Sequence, residues 1–160
     1  MKKNNQGFSL VELIIVIAIM AILVGVVGTQ VIPYIEKSRQ AKDIQVMNGL
    51  CTATISAFTG NASLIDAADN YALVYNNSGL VDDTAVAGYA STPSQIIDDI
   101  IERTGYHNLG EIQAELESKA ASDITGFRLI YSSSRAVVEV EALAPAGSDA
   151  KKVFTKMSTK

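Results

Sequence analysis

Hydrophobic and polar positions divide the chain into three regimes. The opening seven residues, Met1-Lys2-Lys3-Asn4-Asn5-Gln6-Gly7, are polar and basic. After Phe8-Ser9-Leu10-Val11-Glu12, the stretch from Leu13 to Ile32 has only Thr29 and Gln30 as polar side chains. Those 20 residues predict a helix about 30 Å long, the thickness of a bilayer's hydrocarbon core. Beyond Pro33 the pattern turns amphipathic: Ile44, Met47, Cys51, Ile55 and Phe58 recur at spacings of three and four, giving one apolar helical face. Glu36, Lys37, Arg39, Lys42 and Asp43 are expected on the exposed turns near its start, and Thr59-Gly60-Asn61 is expected to end it.

The remainder reads as a mixed head. Tyr71 to Tyr75 is strand-like and is closed by the turn residues Asn76-Asn77-Ser78-Gly79. Thr92-Pro93 opens a helix expected over 94–103, with Ile96, Ile97, Ile100 and Ile101 apolar and Gly105 as its stop. A second, more polar helix is expected over 109–121, with Ile112 and Leu116 at helical spacing. Phe127 to Tyr131, a Ser132-Ser133-Ser134 turn and Ala136 to Leu143 predict a hairpin. Val138, Val140 and Ala142 alternate there with Glu139 and Glu141, as in a sheet with one wet face. Lys152 to Thr155 is expected to add a short last strand. Helix followed by antiparallel strands predicts an α+β fold.

Charge changes the picture in one respect. Between Gly60 and Asp149 there are 14 acidic and four basic residues, a net of −10, and Lys151, Lys152, Lys156 and Lys160 follow as a basic tail. An acidic body repels phosphate backbones, so nucleic acid is not an expected partner of the head, and the tail reads as a solvated end. The single cysteine, Cys51, excludes an intrachain disulfide and lies on the apolar stripe, where it serves as a small buried hydrophobe.

Candidate chemistry in the head is sparse. His107 is the only histidine and has no second histidine or cysteine nearby, which argues against a triad or a zinc site. Asp98, Asp99 and Glu102, and separately Asp82-Asp83, gather carboxylates without the spacing of an EF-hand loop, and they read as solvated acidic faces. There is no glycine-rich phosphate loop. Asn61-Ala62-Ser63 and Asn76-Asn77-Ser78 fit the glycosylation sequon and nothing else in the sequence supports modification there. The expectation is a non-enzyme without metal or cofactor.

The apolar run has three readings: a cleaved secretory signal with a weak cleavage site near Val26 and Gly28, a plain anchor, or a segment kept in the mature protein after processing at Gly7. The lysines ahead of it hold the N-terminus in the cytoplasm by the positive-inside rule, so the chain beyond the run is exported. Glu12 favours the third reading. A carboxylate just inside an apolar segment costs about 2–3 kcal/mol on insertion scales, and residues kept at such a cost tend to be functional. A helix that packs against copies of itself can pair that carboxylate with a positive group on a neighbour, such as a free α-amine at Phe8, and so fix axial register.

Gly7-Phe8-Ser9-Leu10-Val11-Glu12-Leu13 resembles the prepilin processing motif of type IV pilins and the related pseudopilins. The resemblance covers about the first 60 residues. It implies cleavage by a prepilin peptidase between Gly7 and Phe8, N-methylation of Phe8, and an assembly role for Glu12, the fifth residue counted from Phe8. It implies a helix that bends near Gly25, Gly28 and Pro33, with the kink at Pro33, and that packs on a small antiparallel-sheet head. The expected organisation is a leader over 1–7, a helix over 8–59 (membrane or filament core over 8–32, amphipathic over 33–59) and a head over 60–160. The implied partners are copies of the chain itself, the peptidase, an inner-membrane pilus assembly platform, and the cytoplasmic membrane before assembly. The destination is a surface filament for adhesion, motility or biofilm; the alternatives are a pseudopilin of type II secretion or DNA uptake, and a surface binding protein that never polymerises. The missing C-terminal cysteine pair departs from many Gram-negative pilins and points to a lineage that stabilises the head by packing alone.

Overall fold

A computed structural model describes residues 9–159. It divides into two units, Met1–Ser38 and Arg39–Lys160.

In the first unit, helix α1 spans Leu10–Val26 and is followed by five π-helical residues, Val27–Val31. Helix α2 then runs Ile32–Gly60, its first turns lying in this unit. The π turn has local causes. Thr29 Oγ1 donates back to the carbonyls of Gly25 (3.2 Å) and Val26 (3.3 Å), competing with the helical ladder. Pro33 has no N–H for the carbonyl four residues earlier, and its ring crowds that carbonyl in α geometry. Widening the ladder by one residue relieves both. The loosening therefore falls on 27–31, just ahead of Pro33, the residue singled out from the sequence. No residue of α1 is buried, although nearly all are apolar.

In the second unit, α2 buries Asp43, Met47, Leu50, Cys51, Thr54, Ala57 and Phe58, a stripe at helical spacing. The stripe lies on a five-stranded antiparallel sheet made of β1 (Asn70–Asn76), β2 (Gly79–Asp82), β3 (Gly126–Ser132), β4 (Val137–Leu143) and β5 (Met157–Ser158), in the order β2-β1-β3-β4-β5. Register places Tyr71 opposite Tyr131, Leu73 opposite Leu129, and Leu129 opposite Val140; these and their same-face neighbours are buried. Phe58 stacks on Tyr131 with ring centroids 4.2 Å apart and tilts against Tyr71 at 5.5 Å. Cys51 Sγ donates to the Val138 carbonyl at 3.6 Å, and Thr54 Oγ1 donates to the Leu50 carbonyl, so the polar atoms of these two stripe residues have partners. The result is the expected α+β layout, a long N-terminal helix packed on a small antiparallel sheet.

Helix α3 (Ser94–Thr104) buries Ile96 and Ile100 and ends at Gly105, whose φ of +75° is the left-handed cap that stops a helix. Helices α4 (Leu109–Glu115) and α5 (Asp149–Val153) complete the unit.

Several expectations are corrected. The helix expected over 109–121 stops at Glu115 and resumes only as a 3-10 turn at Lys119–Asp123. The break is tertiary: the N–H groups of Glu117 and Ser118 leave the helical ladder to donate to Asp43. Asp43, expected from its charge on an exposed turn, is fully buried. Lys152 to Thr155 is not a strand; α5 occupies 149–153, with Lys152 pairing back to Asp149 at 2.9 Å, and the last strand is β5. Ala136 belongs to the turn between β3 and β4, at φ +49°, instead of to β4. Strand β2 has no counterpart among the expected elements, because four residues show too few alternations to register as a pattern.

Candidate functional site

The site inferred from the sequence lies at the N-terminus. Gly7 and Phe8, the expected cleavage and methylation residues, fall outside the described residues. Ser9 and Glu12 are described, and they form a capping box on α1. Glu12 Oε2 accepts from the Ser9 backbone N–H at 2.9 Å, and Ser9 Oγ accepts from the Val11 N–H at 3.3 Å. An exposed carboxylate at the third helical position also faces the positive end of the helix dipole. The Ser-x-x-Glu spacing is the sequence signal for this cap, and weighing the carboxylate alone overlooks it. Glu12 thus has a structural duty within its own chain as well as any duty between chains.

Behind this cap is an almost uninterrupted apolar surface. Leu10, Val11, Leu13, Ile14, Ile15, Ile17 and Met20 are all more than half exposed. The continuous helical stretch from Leu10 is long and apolar enough to cross a membrane by length and composition. Exposed apolar surface of this extent is a site for lipid or for other protein.

Residues 2–28 match the family model described as the prokaryotic N-terminal methylation motif. The chain carries the class III signal of type IV pilins and pseudopilins. The motif supports a type IV pilin-like or pseudopilin protein and implies processing by a prepilin peptidase; with the apolar helix it supports membrane anchoring. No curated protein and no solved structure matches the chain.

The head residues singled out from the sequence are dispersed and mostly paired. Asp99 bridges Arg103 at 2.8 Å and accepts from the Asn61 side chain at 3.0 Å, so the first sequon asparagine is tied into the fold. Asp83 is buried, not solvated, and binds Arg128, which also reaches Glu141 at 3.5 Å. Asp82 accepts from the Thr92 N–H (3.0 Å) and the Ser91 hydroxyl (2.7 Å), pinning the loop that follows β2. His107 is exposed and faces Glu111, whose carboxyl is held below its ordinary value first by the His107 backbone N–H and then by its side chain. Among the described residues no group of three His, Cys, Asp or Glu side chains is placed to hold a metal ion. Lys156 of the basic tail binds Glu139 at 2.5 Å.

Four groups have displaced acidities that report packing. Burial pushes the Cys51 thiol up, which disfavours the thiolate. Burial also raises Tyr75 and Tyr131. Tyr106 is pushed up to about 12, first by burial and then by the hydrogen bond it donates to Glu115 at 2.5 Å.

The buried carboxylate of Asp43 was missed by sequence reasoning. Its Oδ1 accepts from Glu117 N–H at 2.8 Å and Oδ2 from Ser118 N–H at 2.9 Å, while Lys42 pairs with the Glu117 side chain. The arrangement fastens the segment after α4 to α2.

Proposed function

We propose that the protein is a structural subunit of a type IV pilus, cut between Gly7 and Phe8, methylated on Phe8, and polymerised through its N-terminal helices into a surface filament; it is not an enzyme. The carrying observation is the single carboxylate of Glu12 at the head of an apolar helix with no buried residue, inside the methylation motif.

The support is energetic. A helix leaving the bilayer for a filament core exchanges one apolar environment for another, so its leucines and isoleucines gain little from water exclusion; association rests on packing and on polar groups that find partners. Glu12 is the polar group that lipid serves worst. Cleavage after Gly7 creates an α-amine at Phe8, and a neighbour's α-amine against Glu12 neutralises the charge at one axial offset only. Until then the carboxylate accepts from the Ser9 backbone N–H of its own chain. Gly25, Gly28 and the π turn leave room for close helix approach. In this reading the acidic heads coat the fibre, and adhesion, motility or biofilm formation is the use to which the fibre is put.

Glu12→Ala and Glu12→Gln are the test, with sheared surface fibres viewed by electron microscopy and their subunit mass measured. The expected outcome is a methylated Phe8 terminus in wild-type fibres, and normal processing without fibres in both variants. Intact fibres from Glu12→Ala remove the register role, and a mature terminus near Thr29 removes the retained helix altogether. Wild-type subunit found only in short cell-envelope filaments points to a pseudopilin.

A further inference from the structure

The face of the sheet turned away from α2 holds a cleft that none of the functions above uses. Its floor is built by register: Asn70 of β1 is opposite Ser132 of β3, Ser132 is opposite Val137 of β4, and Ile130 is opposite Glu139. Two loops raise its walls. The loop after β2 brings Tyr89, held because Ala90 N–H donates to the Asn70 carbonyl at 2.9 Å. The β3–β4 turn brings Ser134 and Arg135, closed by the left-handed Ala136. The volume of this half-open cleft is about 300 Å³, at the small end of ligand pockets and suited to a single ring.

The lining has a definite chemistry. Ile130 and Val137 make the floor apolar and Tyr89 adds an aromatic wall. The Ser132 and Ser134 hydroxyls, 3.4 Å apart, stand with the Asn70 amide as hydrogen-bonding groups. Glu139 is bound by Lys156 through Oε2, which offsets its charge and leaves Oε1 as an acceptor. Arg103 and Arg128 are ion-paired in the head, whereas among the described residues Arg135 has no carboxylate partner. In a head of net charge −10 between Gly60 and Asp149, a guanidinium without a partner on a cleft wall is a local exception to the surrounding field.

We propose that this cleft binds a pyranose ring bearing a carboxylate, of the uronic-acid type. The guanidinium of Arg135 pairs with the carboxylate through two parallel hydrogen bonds, a geometry lysine does not offer. Asn70, Ser132, Ser134 and Glu139 serve the ring hydroxyls, while Tyr89, Ile130 and Val137 cover its C–H face. The site belongs wholly to the head and is independent of whether the chain polymerises.

The test uses the full-length chain in detergent micelles, titrated with glucuronic acid, galacturonic acid, glucose and acetate while backbone amides are followed by NMR. Both uronic acids are expected to shift the amides of Tyr89, Ser132, Ser134 and Arg135. Glucose, which lacks the carboxylate, and acetate, which lacks the ring, are expected to bind at least about tenfold more weakly. Arg135→Gln and Tyr89→Ala are each expected to weaken uronate binding by about tenfold or more, with the unfolding midpoint unchanged. A uronic oligomer that binds more tightly than its monomer identifies a polysaccharide as the source, and equal binding identifies the free sugar acid. Absence of shifts at millimolar uronate, acetate binding as well as uronate, or Arg135→Gln binding as wild type each overturns the proposal.

Discussion

Replacing Asp43 tests the most consequential contact in the head. The side chain is fully buried and accepts two backbone N–H groups, from Glu117 and Ser118, at 2.8 and 2.9 Å. A hydrogen bond to a charged group contributes about 1.5–3 kcal/mol, and a buried donor left without a partner costs about 1–3 kcal/mol. Asp43→Ala orphans both donors and leaves a small void, so a loss of about 3–5 kcal/mol is expected. Asp43→Asn keeps one acceptor oxygen but turns its amide toward the second N–H, so a loss of about 2–3 kcal/mol is expected. Against the roughly 5–15 kcal/mol typical of a domain, either change is large. The assay is urea denaturation of the full chain in micelles, followed by near-ultraviolet circular dichroism of the tyrosines around Phe58. Lys42→Met, which removes only the exposed partner of Glu117, serves as control and should move the midpoint far less. If Asp43→Ala unfolds within about 1 kcal/mol of wild type with an unchanged slope, the segment after α4 is held by something other than this carboxylate, and the tertiary origin of the break at Glu115 is refuted.

Two further outcomes concern a buried thiol and a partly buried phenol. Cys51 is 4% exposed, is bonded to the Val138 carbonyl and has a raised thiol pKa, so a thiol reagent should label it only on unfolding; rapid labelling of the folded chain would place Cys51 at the surface. Burial and the hydrogen bond to Glu115 push the Tyr106 phenol up to about 12 from an ordinary value of 10.0. Between those values the unfolded chain has released the proton that the folded chain still holds, so this group's contribution to stability declines as pH rises through that window. Absorbance titration at alkaline pH should show a last tyrosine phase that Tyr106→Phe removes, and persistence of that phase in the variant would reassign it.

Local pattern was sufficient where neighbours in sequence are also neighbours in space. The apolar run, the stripe of Met47, Cys51 and Phe58, the helix ended by Gly105, and the alternation along β4 are all periodic signals, because a helix or a strand repeats its faces at a fixed spacing. The capping box of Ser9 and Glu12 was written there as well, in four residues. The N-terminal motif is legible for the same reason, since a peptidase reads a short contiguous segment.

What local pattern misplaced was decided by groups far apart along the chain. Asp43 reads as a surface charge until its partners, some 75 residues later, fold over it. Those partners in turn end a helix that local propensity would have continued to 121. Asp83 reads as solvated until Arg128 of β3 is brought beside it. The cleft around Arg135 has no signature at all in the sequence, since its floor comes from three strands and its walls from two loops. By itself, then, the sequence determined that this protein has an apolar helix long enough to cross a membrane, with one carboxylate at its head, and an α+β domain after it in the chain. Which carboxylates are buried, where the second head helix breaks, and what the outer face of the sheet presents were decided only by tertiary structure. A polar side chain's fate depends on whether a partner arrives to replace water, and that partner is chosen by the fold.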